Sequence, residues 1–238
     1  MTRLSVNLNK VALIRNSRGS NMPNLIMVAK DCERFGAQGI TVHPRPDERH
    51  CKFSDLPLLK AACTTEFNIE GFPDRHFLDA VLAVQPHQCT LVPDDPSQIT
   101  SDHGWDTVKN KSFLKEIITE LKQHNIRVSL FIDPDKKLIE EAANIGADRI
   151  EYYTGPYAKH FSINPEKAIK ELKETCAIAI NAGLGINAGH DLNLENLKYL
   201  KDNLPKLDEV SIGHALICDA LYLGLENTIQ LYLNELRK

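Results

Sequence analysis

Amide, imidazole, guanidinium and carboxylate side chains recur in this 238-residue chain at one kind of place, just after a short apolar run. Asn7 and Asn9 follow the first run, with Lys10 beyond. His43 closes the second, and Arg45, Arg49 and His50 follow it. Glu70 closes the third. The fourth leads into a stretch holding Thr100 and His103. Asp133 closes the fifth, Glu151 the sixth, Asn187 and then His190 the seventh, and Gly213-His214 the eighth. Imidazoles and carboxylates gathered at one rim suit acid–base chemistry, because each can hold or release a proton near neutral pH. Glu70 stands behind Phe67-Asn68-Ile69, where partial desolvation raises a carboxyl toward the range of a general base. Arg45, Arg49 and His50 share one loop, and the planar fork of arginine matches a phosphate. Gly213-His214 opens a helix, whose bare N–H groups and dipole attract an anion. Plainer readings stand beside these: His43 as a satisfied core histidine, Glu70 as a surface carboxylate, Gly213 as a simple turn.

The elements that must position these residues follow from hydrophobic periodicity. Short runs predict strands at Leu4–Leu8, Gly39–His43, Phe67–Glu70, Cys89–Val92, Arg127–Ile132, Arg149–Tyr153, Gly185–Ala188 and Glu209–Ile212. Longer amphipathic patterns predict helices at Leu25–Phe35, Ser54–Ala62, Asp74–Val84, Ser112–His124, Pro134–Ile145, Pro165–Ala182, Leu194–Asn203 and Ala215–Leu236. Eight strand–helix alternations of this length predict an α/β fold: a (β/α)₈ TIM barrel forming a single catalytic domain over residues 1–238. A weak repeat sets the register. Phe35-Gly36-Ala37, Ile145-Gly146-Ala147 and, more loosely, Ala182-Gly183-Leu184 each read as a helix end, a Gly cap and the next strand. A doubly wound open sheet would carry a Gly-rich turn after its first strand; Asn7-Leu8-Asn9-Lys10 stands there instead. The strand starts read as mostly apolar or capped, so chemistry belongs at the C-terminal rim. Residues 93–109 and 154–164 lack periodicity and follow strands, where lids belong. The first is the favoured lid because it holds Thr100.

Composition bounds the function class. Apolar residues make up 42% and charged residues 25%, which argues against disorder. A net charge of −4 argues against a general nucleic-acid binder. Residues 1–50 nevertheless hold eight Lys or Arg against four Asp or Glu, which fits either a solvated basic face or a pocket for a small anion. No apolar run approaches the roughly 20 residues that span a bilayer. The N-terminus shows no signal-peptide stretch, so no membrane partner and a cytoplasmic location are expected. Cys32, Cys51, Cys63, Cys89, Cys176 and Cys218 form no C-x-x-C pair and read as reduced, mostly buried packing residues. Apart from Lys10 no strand end carries a lysine, against a Schiff-base aldolase on a middle strand. No His-x-His ends the first strand, and a His43–Glu70–His190 metal site is possible but disfavoured.

Taken in order, these segments resemble the pyridoxine 5′-phosphate synthase family across essentially the whole chain. The resemblance rests on Val6-Asn7-Leu8-Asn9, Leu13-Ile14-Arg15-Asn16-Ser17-Arg18-Gly19, Gly39-Ile40-Thr41-Val42-His43, Arg45 to His50, Asn68-Ile69-Glu70 and Leu91-Val92-Pro93. It continues through Val128-Ser129-Leu130-Phe131-Ile132-Asp133, Ile150-Glu151 with Thr154-Gly155, Asn187-Ala188-Gly189-His190 and Ser211-Ile212-Gly213-His214-Ala215. It implies condensation of 3-amino-2-oxopropyl phosphate with 1-deoxy-D-xylulose 5-phosphate to give pyridoxine 5′-phosphate, inorganic phosphate and water. It also implies no metal, no organic cofactor and a homo-octamer. By the family pattern His43 and Glu70 accept protons, His190 donates one and Glu151 stabilises the transition state. Arg45, His50 and Thr100, helped by Asn9 and Lys10, hold the deoxyxylulose phosphate. Asn7, Arg18, Asp191, Gly213 and His214 hold the aminoketone phosphate.

Three positions depart from that pattern. Asn9-Lys10 stands where many members carry Asp-His, which leaves backbone or amide contacts rather than catalysis. Asp191 stands where Gly is usual, and only its main chain suits a phosphate, since its carboxylate would repel one. Tyr152-Tyr153 replaces a pair that often includes His. Two rival readings remain from the residues alone: another sugar-phosphate barrel enzyme, an epimerase or isomerase with one substrate, and a barrel that binds phosphate without turnover.

Overall fold

The computed structural model describes residues 1–94 and 101–237. Eight strands form one closed, wholly parallel barrel in chain order. They are β1 (Arg3–Asn7), β2 (Gly39–Val42), β3 (Glu66–Gly71), β4 (Gln88–Leu91), β5 (Arg127–Ile132), β6 (Arg149–Tyr153), β7 (Gly185–Gly189) and β8 (Glu209–Ile212). The first strand closes on the last through Arg3↔Glu209 and Ser5↔Ser211. Around them lie α1 (Asn9–Asn16), α2 (Leu25–Arg34), α3 (Leu56–Ala62), α4 (Arg75–Val84), α5 (Lys111–Gln123), α6 (Lys136–Asn144), α7 (Gly155–Phe161), α8 (Pro165–Asn181), α9 (Leu197–Asn203), α10 (His214–Leu223) and α11 (Leu225–Leu236). The expected barrel is present, with strand bounds within a residue or so of those predicted.

Strand alternation divides the molecule into two environments. One set of strand residues, including Leu4, Val6, Ile40, Phe67, Leu130 and Ile186, is fully buried outside the barrel against the helices. Each such side chain contributes about 1.5–3 kcal/mol by leaving water. The helices answer with residues three and four apart, as in α8, where Ile169, Leu172, Cys176 and Ala179 are buried. Tyr152 joins this layer, its hydroxyl 3.0 Å from Thr175 Oγ1 on α8. Side-chain caps start four helices: Asn24, Asp74, Asp135 and Asn164 each accept a first-turn backbone N–H. The repeated glycines end helices as expected, with φ of 103° at Gly36, 93° at Gly146 and 80° at Gly183.

The other set faces the barrel axis and is polar, where barrels of this kind usually pack branched apolar side chains. Ser5 and Thr41 hydroxyls lie 2.7 Å apart, and Thr90 donates to Asn68 Oδ1 at 3.1 Å. The strand starts overturn the expectation that they are mostly apolar or capped. Arg3 pairs with Glu66 at 2.8 Å and Glu209 at 3.6 Å, Arg127 pairs with Glu66, and Arg149 donates to Asn187 Oδ1 at 3.0 Å. A ring of charge closes the lower end.

Three other expectations change. The long last helix is two, α10 and α11, divided at Gly224 with φ 78°. α1 and α7 were not predicted: the buried face of α1 is narrow, and Pro156 with Ser162–Asn164 hides the period of α7. Four cysteines are buried, but Cys63 is half-buried and Cys218 is exposed, so the packing role does not extend to Cys218. No helix among the described residues is long and apolar enough to cross a membrane.

Candidate active site

At the C-terminal rim the inward strand ends meet in a cavity of about 420 Å³. Its lining includes Asn7, Asn9, Lys10, His43, Arg45, His50, Glu70, Glu151, His190, Asp191, Gly213 and His214. These are all but two of the residues to which the family resemblance gives a role. Thr100 lies outside the described residues. Arg18 is exposed in the α1–α2 connection and does not line the cavity. Phe131, Ser101, Tyr153 and Ser211 also line it. Inward alternation on β5, β6 and β8 could have found three of these; Ser101 carries no such signal.

A chain of amides ties the first three strand ends together. Asn7 Nδ2 is 3.4 Å from Glu70 Oε2, Asn7 Oδ1 accepts the Asn9 N–H at 3.0 Å, and Asn9 Oδ1 accepts the His43 N–H at 2.9 Å. Asn9 thus acts as a strut. Glu70 is buried, and its carboxyl is raised well above the usual carboxylate range by that burial and by the nearby Glu151, Asp94 and Glu209, eased by a hydrogen bond with Ser211. Glu151 crosses the barrel toward Thr90, and burial raises it to about 7. Its Oε2 has no hydrogen-bond partner among the described residues. Gly189 abuts the other oxygen, and a Cβ there would collide with Glu151 Oε1.

The histidines shift the opposite way. His43 falls to about 3 through burial and through the nearby Arg45, His50 and Arg49 side chains. His50 falls to about 4 through burial, Lys10, Arg49 and Arg45. Both imidazoles are therefore neutral at pH 7. The site holds neutral bases beside one carboxyl that keeps its proton, Glu70, and one poised near neutrality, Glu151, the separation of roles acid–base catalysis needs.

The backbone at His190-Asp191 is unusual, with φ of 83° and 58° at two consecutive non-glycine residues. Thr154 Oγ1 holds the turn through Gly189 O at 2.8 Å and His190 O at 2.5 Å, and Asn196 Nδ2 donates to Asp191 O at 3.2 Å. His190 Nδ1 lies 3.3 Å from Asp191 Oδ2, and the Tyr153 ring stands edge-on to the imidazole at 5.3 Å. The hydrogen bond with His190 holds the Asp191 carboxyl below its usual range. Tyr153 thus occupies the site, whereas its neighbour Tyr152 does not.

Two corners offer anion contacts. One holds Arg45, His50, Lys10 and Ser101. The other is the start of α10, where Gly213 lets the backbone approach Asn7; a Cβ there would press on Asn7 at 3.1–3.3 Å. The early basic residues divide. Lys10 faces the cavity, whereas Arg3 joins the lower charge ring and Arg15 is buried in a two-pronged pair with Asp55 at 2.8 Å. Arg49 pairs with Asp47 at 2.5 Å. Asp133 is also turned aside, accepting the Gly104 N–H at 3.0 Å. Among the described residues no three His, Cys, Asp or Glu side chains are grouped to hold a metal ion.

Comparison with known proteins extends these findings. Residues 4–238 match the family model described as "Pyridoxal phosphate biosynthesis protein PdxJ". The chain is 63% identical over 238 residues to pyridoxine 5′-phosphate synthase of Cytophaga hutchinsonii, covering all of both chains. It is 60% identical over 237 residues to the enzyme of that name in Bacteroides fragilis, again over the full length of each. Among solved structures it resembles orotidine 5′-monophosphate decarboxylase of Methanocaldococcus jannaschii, with a TM-score of 0.67 at 15% identity and all of both chains covered. It also resembles phosphoribosylanthranilate isomerase of Thermotoga maritima, with a TM-score of 0.62 at 13% identity, covering 99% of this chain and 98% of the other. At such identities the structural likeness speaks to the barrel alone.

Proposed function

The chain belongs to the PdxJ family of pyridoxal phosphate biosynthesis proteins, and from that premise we propose that it makes pyridoxine 5′-phosphate by condensing 3-amino-2-oxopropyl phosphate with 1-deoxy-D-xylulose 5-phosphate. One observation carries the reading beyond the family. A single cavity has two corners whose donors suit an anion, with neutral imidazoles and carboxyls of raised proton affinity between them. Two phosphorylated substrates need two such corners, and a single-substrate sugar-phosphate enzyme needs one.

The residues then take the following parts. Arg45, His50 and Lys10, with Thr100, hold the deoxyxylulose phosphate, and Asn9 braces His43. The start of α10 at Gly213 and His214, with Asn7 and the Asp191 main chain, holds the aminoketone phosphate. The amine attacks the sugar ketone, forming a C–N bond and, after loss of water, an imine. Over the addition and the dehydration nitrogen loses two protons and the departing oxygen gains two, leaving as water. Neutral His43 accepts a proton without the cost of first losing one. Glu70 binds its proton tightly, and positive charge developing on the imine nitrogen beside it favours its ionised form, its proton passing to the departing oxygen. Ionised, it is a strong base for the later deprotonations that close and aromatise the ring. His190, next to the Asp191 carboxylate, delivers protons to leaving oxygen. Glu151 balances positive charge that develops on the imine.

The test is to mix purified protein with both substrates and follow pyridoxine 5′-phosphate by absorbance and fluorescence. Product only when both are present is expected. Turnover of one substrate alone would move the assignment to an epimerase or isomerase. Phosphate binding by a folded protein without any product would move it to a non-catalytic barrel. A cytoplasmic homo-octamer accompanies this reading, and light scattering checks the assembly.

A further inference from the structure

Arg45 is 4% exposed and lies at the anion corner, where its guanidinium already meets an anion. That anion is Asp94, also 4% exposed, whose Oδ2 accepts from Arg45 Nη2. The same oxygen accepts the Ser101 hydroxyl at 2.8 Å. Ser101 is buried and lines the cavity. Asp94 follows β4, Ser101 stands seven residues later, and Arg45 belongs to the β2 connection. A guanidinium and a hydroxyl converging on one carboxylate oxygen are the donors that would grip a phosphate oxygen. The other oxygen of Asp94, Oδ1, is buried without a hydrogen-bond partner among the described residues. A carboxylate placed for its own satisfaction would not leave half of itself unpaired.

We propose that Arg45 and Ser101 form a phosphate-binding pair, and that Asp94 is an internal anion occupying it until substrate phosphate displaces it. The proposal rests on the reading of this cavity as a phosphorylated-substrate site and adds Ser101 and Asp94 to it. The exchange is favoured electrostatically, because a phosphate dianion offers more charge and more acceptor oxygens than one carboxylate. It also carries a consequence for the chain. Displacing Asp94 unties it from both Arg45 and Ser101, so phosphate binding at this corner is felt at all three residues. Affinity is then reduced by the fraction of molecules in which Asp94 holds the site.

The experiment uses the full chain and inorganic phosphate as probe, by titration calorimetry, with Asp94→Asn and Ser101→Ala beside the wild type. Asp94→Asn is expected to bind phosphate roughly tenfold more tightly, the gain when an internal competitor that holds about nine-tenths of the molecules is removed. KM for 1-deoxy-D-xylulose 5-phosphate should fall in step. Ser101→Ala should bind phosphate more weakly than Asp94→Asn does. Unchanged or weaker phosphate binding in Asp94→Asn would overturn the proposal and make Asp94 a support for Arg45. If that variant does not fold, hydrogen exchange on the wild type decides. Saturating phosphate should raise amide exchange at Asp94 and at Ser101, and unchanged or slower exchange at both would overturn the proposal. An active enzyme whose variant binds phosphate no better removes this inference and leaves the reaction standing. Tighter phosphate binding in a protein that makes no product does the reverse.

Discussion

Glu70→Gln keeps the shape of the side chain and its reach to Asn7 and Ser211 but removes the exchangeable charge. We expect turnover to fall by roughly 10²–10⁴-fold, the usual worth of a positioned acid or base, with folding and phosphate binding nearly intact. Steady-state kinetics beside phosphate calorimetry checks this, and near-normal turnover would remove Glu70 from the chemistry. Gly189→Ala tests Glu151 without touching it. The added methyl meets Glu151 Oε1, so the carboxyl must move, and kcat should fall more than phosphate affinity. Equal losses in both would mean that the methyl disturbs the whole rim rather than one carboxyl. At this scale much was legible in the sequence, because a polar residue after an apolar run is forced to the end of a strand. Glu70, Glu151 and His43 were found that way. The pairing of Arg15 with Asp55, 40 residues apart, was not, since local pattern holds no information about distant partners. Nor was the turn at His190-Asp191: His and Asp adopt positive φ more readily than most residues, but the preference is too weak to place a turn by itself.

The elements were legible where burial is one-sided. Strand outer faces and the long helices repeat apolar residues at the expected periods, and their ends carry caps. α1 and α7 escaped because short helices bury few residues, and tertiary contact rather than period holds them. The predicted glycine caps allow a measurement at this scale. Gly146 has φ 93°, and the nearest atom to an added Cβ is 3.9 Å away at Ile118. Space is therefore available and only the backbone objects. Gly146→Ala should destabilise the protein by about 1–2 kcal/mol, the cost of placing a Cβ in left-handed conformation. Because Gly146 lies at the α6–β6 connection, far from the rim, kcat should not change. Urea unfolding with parallel kinetics checks both, and a neutral effect on stability would mean the cap relaxes to negative φ.

At the scale of the whole molecule the polar axis, which the sequence reading missed, sets how stability depends on pH. Inward residues alternate with outward ones, and an Arg or Glu at a strand start reads as solvent-facing until the barrel is closed around it. Once closed, Glu209 is buried between the lower ring and the site, and burial with Glu66 nearby raises it to about 8 despite Arg3 and Arg149. Glu151 stands at about 7. Each of these carboxyls holds its proton more tightly folded than unfolded. Each therefore favours folding fully below an ordinary Glu value of about 4.3, and that benefit is lost as pH rises through the folded value. His43 and His50 are held neutral, at about 3 and 4. Their benefit is complete above an ordinary His value of about 6.5 and is lost as pH falls. Between about pH 4.5 and 6.5 the two histidines offset part of the carboxyl slope, to which the raised Glu70 adds a third group. Above that window only the carboxyls act, so stability should fall by about 1.4 kcal/mol per pH unit for each group still protonated. Glu209→Gln copies the protonated form permanently and removes one such group. Calorimetric melting from pH 5 to 9 should show the variant losing stability less steeply than the wild type between about pH 6.5 and 8. The difference of roughly 2 kcal/mol by pH 8 is about 4–8 °C in Tm for a chain of this size. Equal slopes would mean that Arg3 and Arg149 keep Glu209 ionised throughout, and that the lower ring is a balanced ion network rather than a store of protons beneath the site.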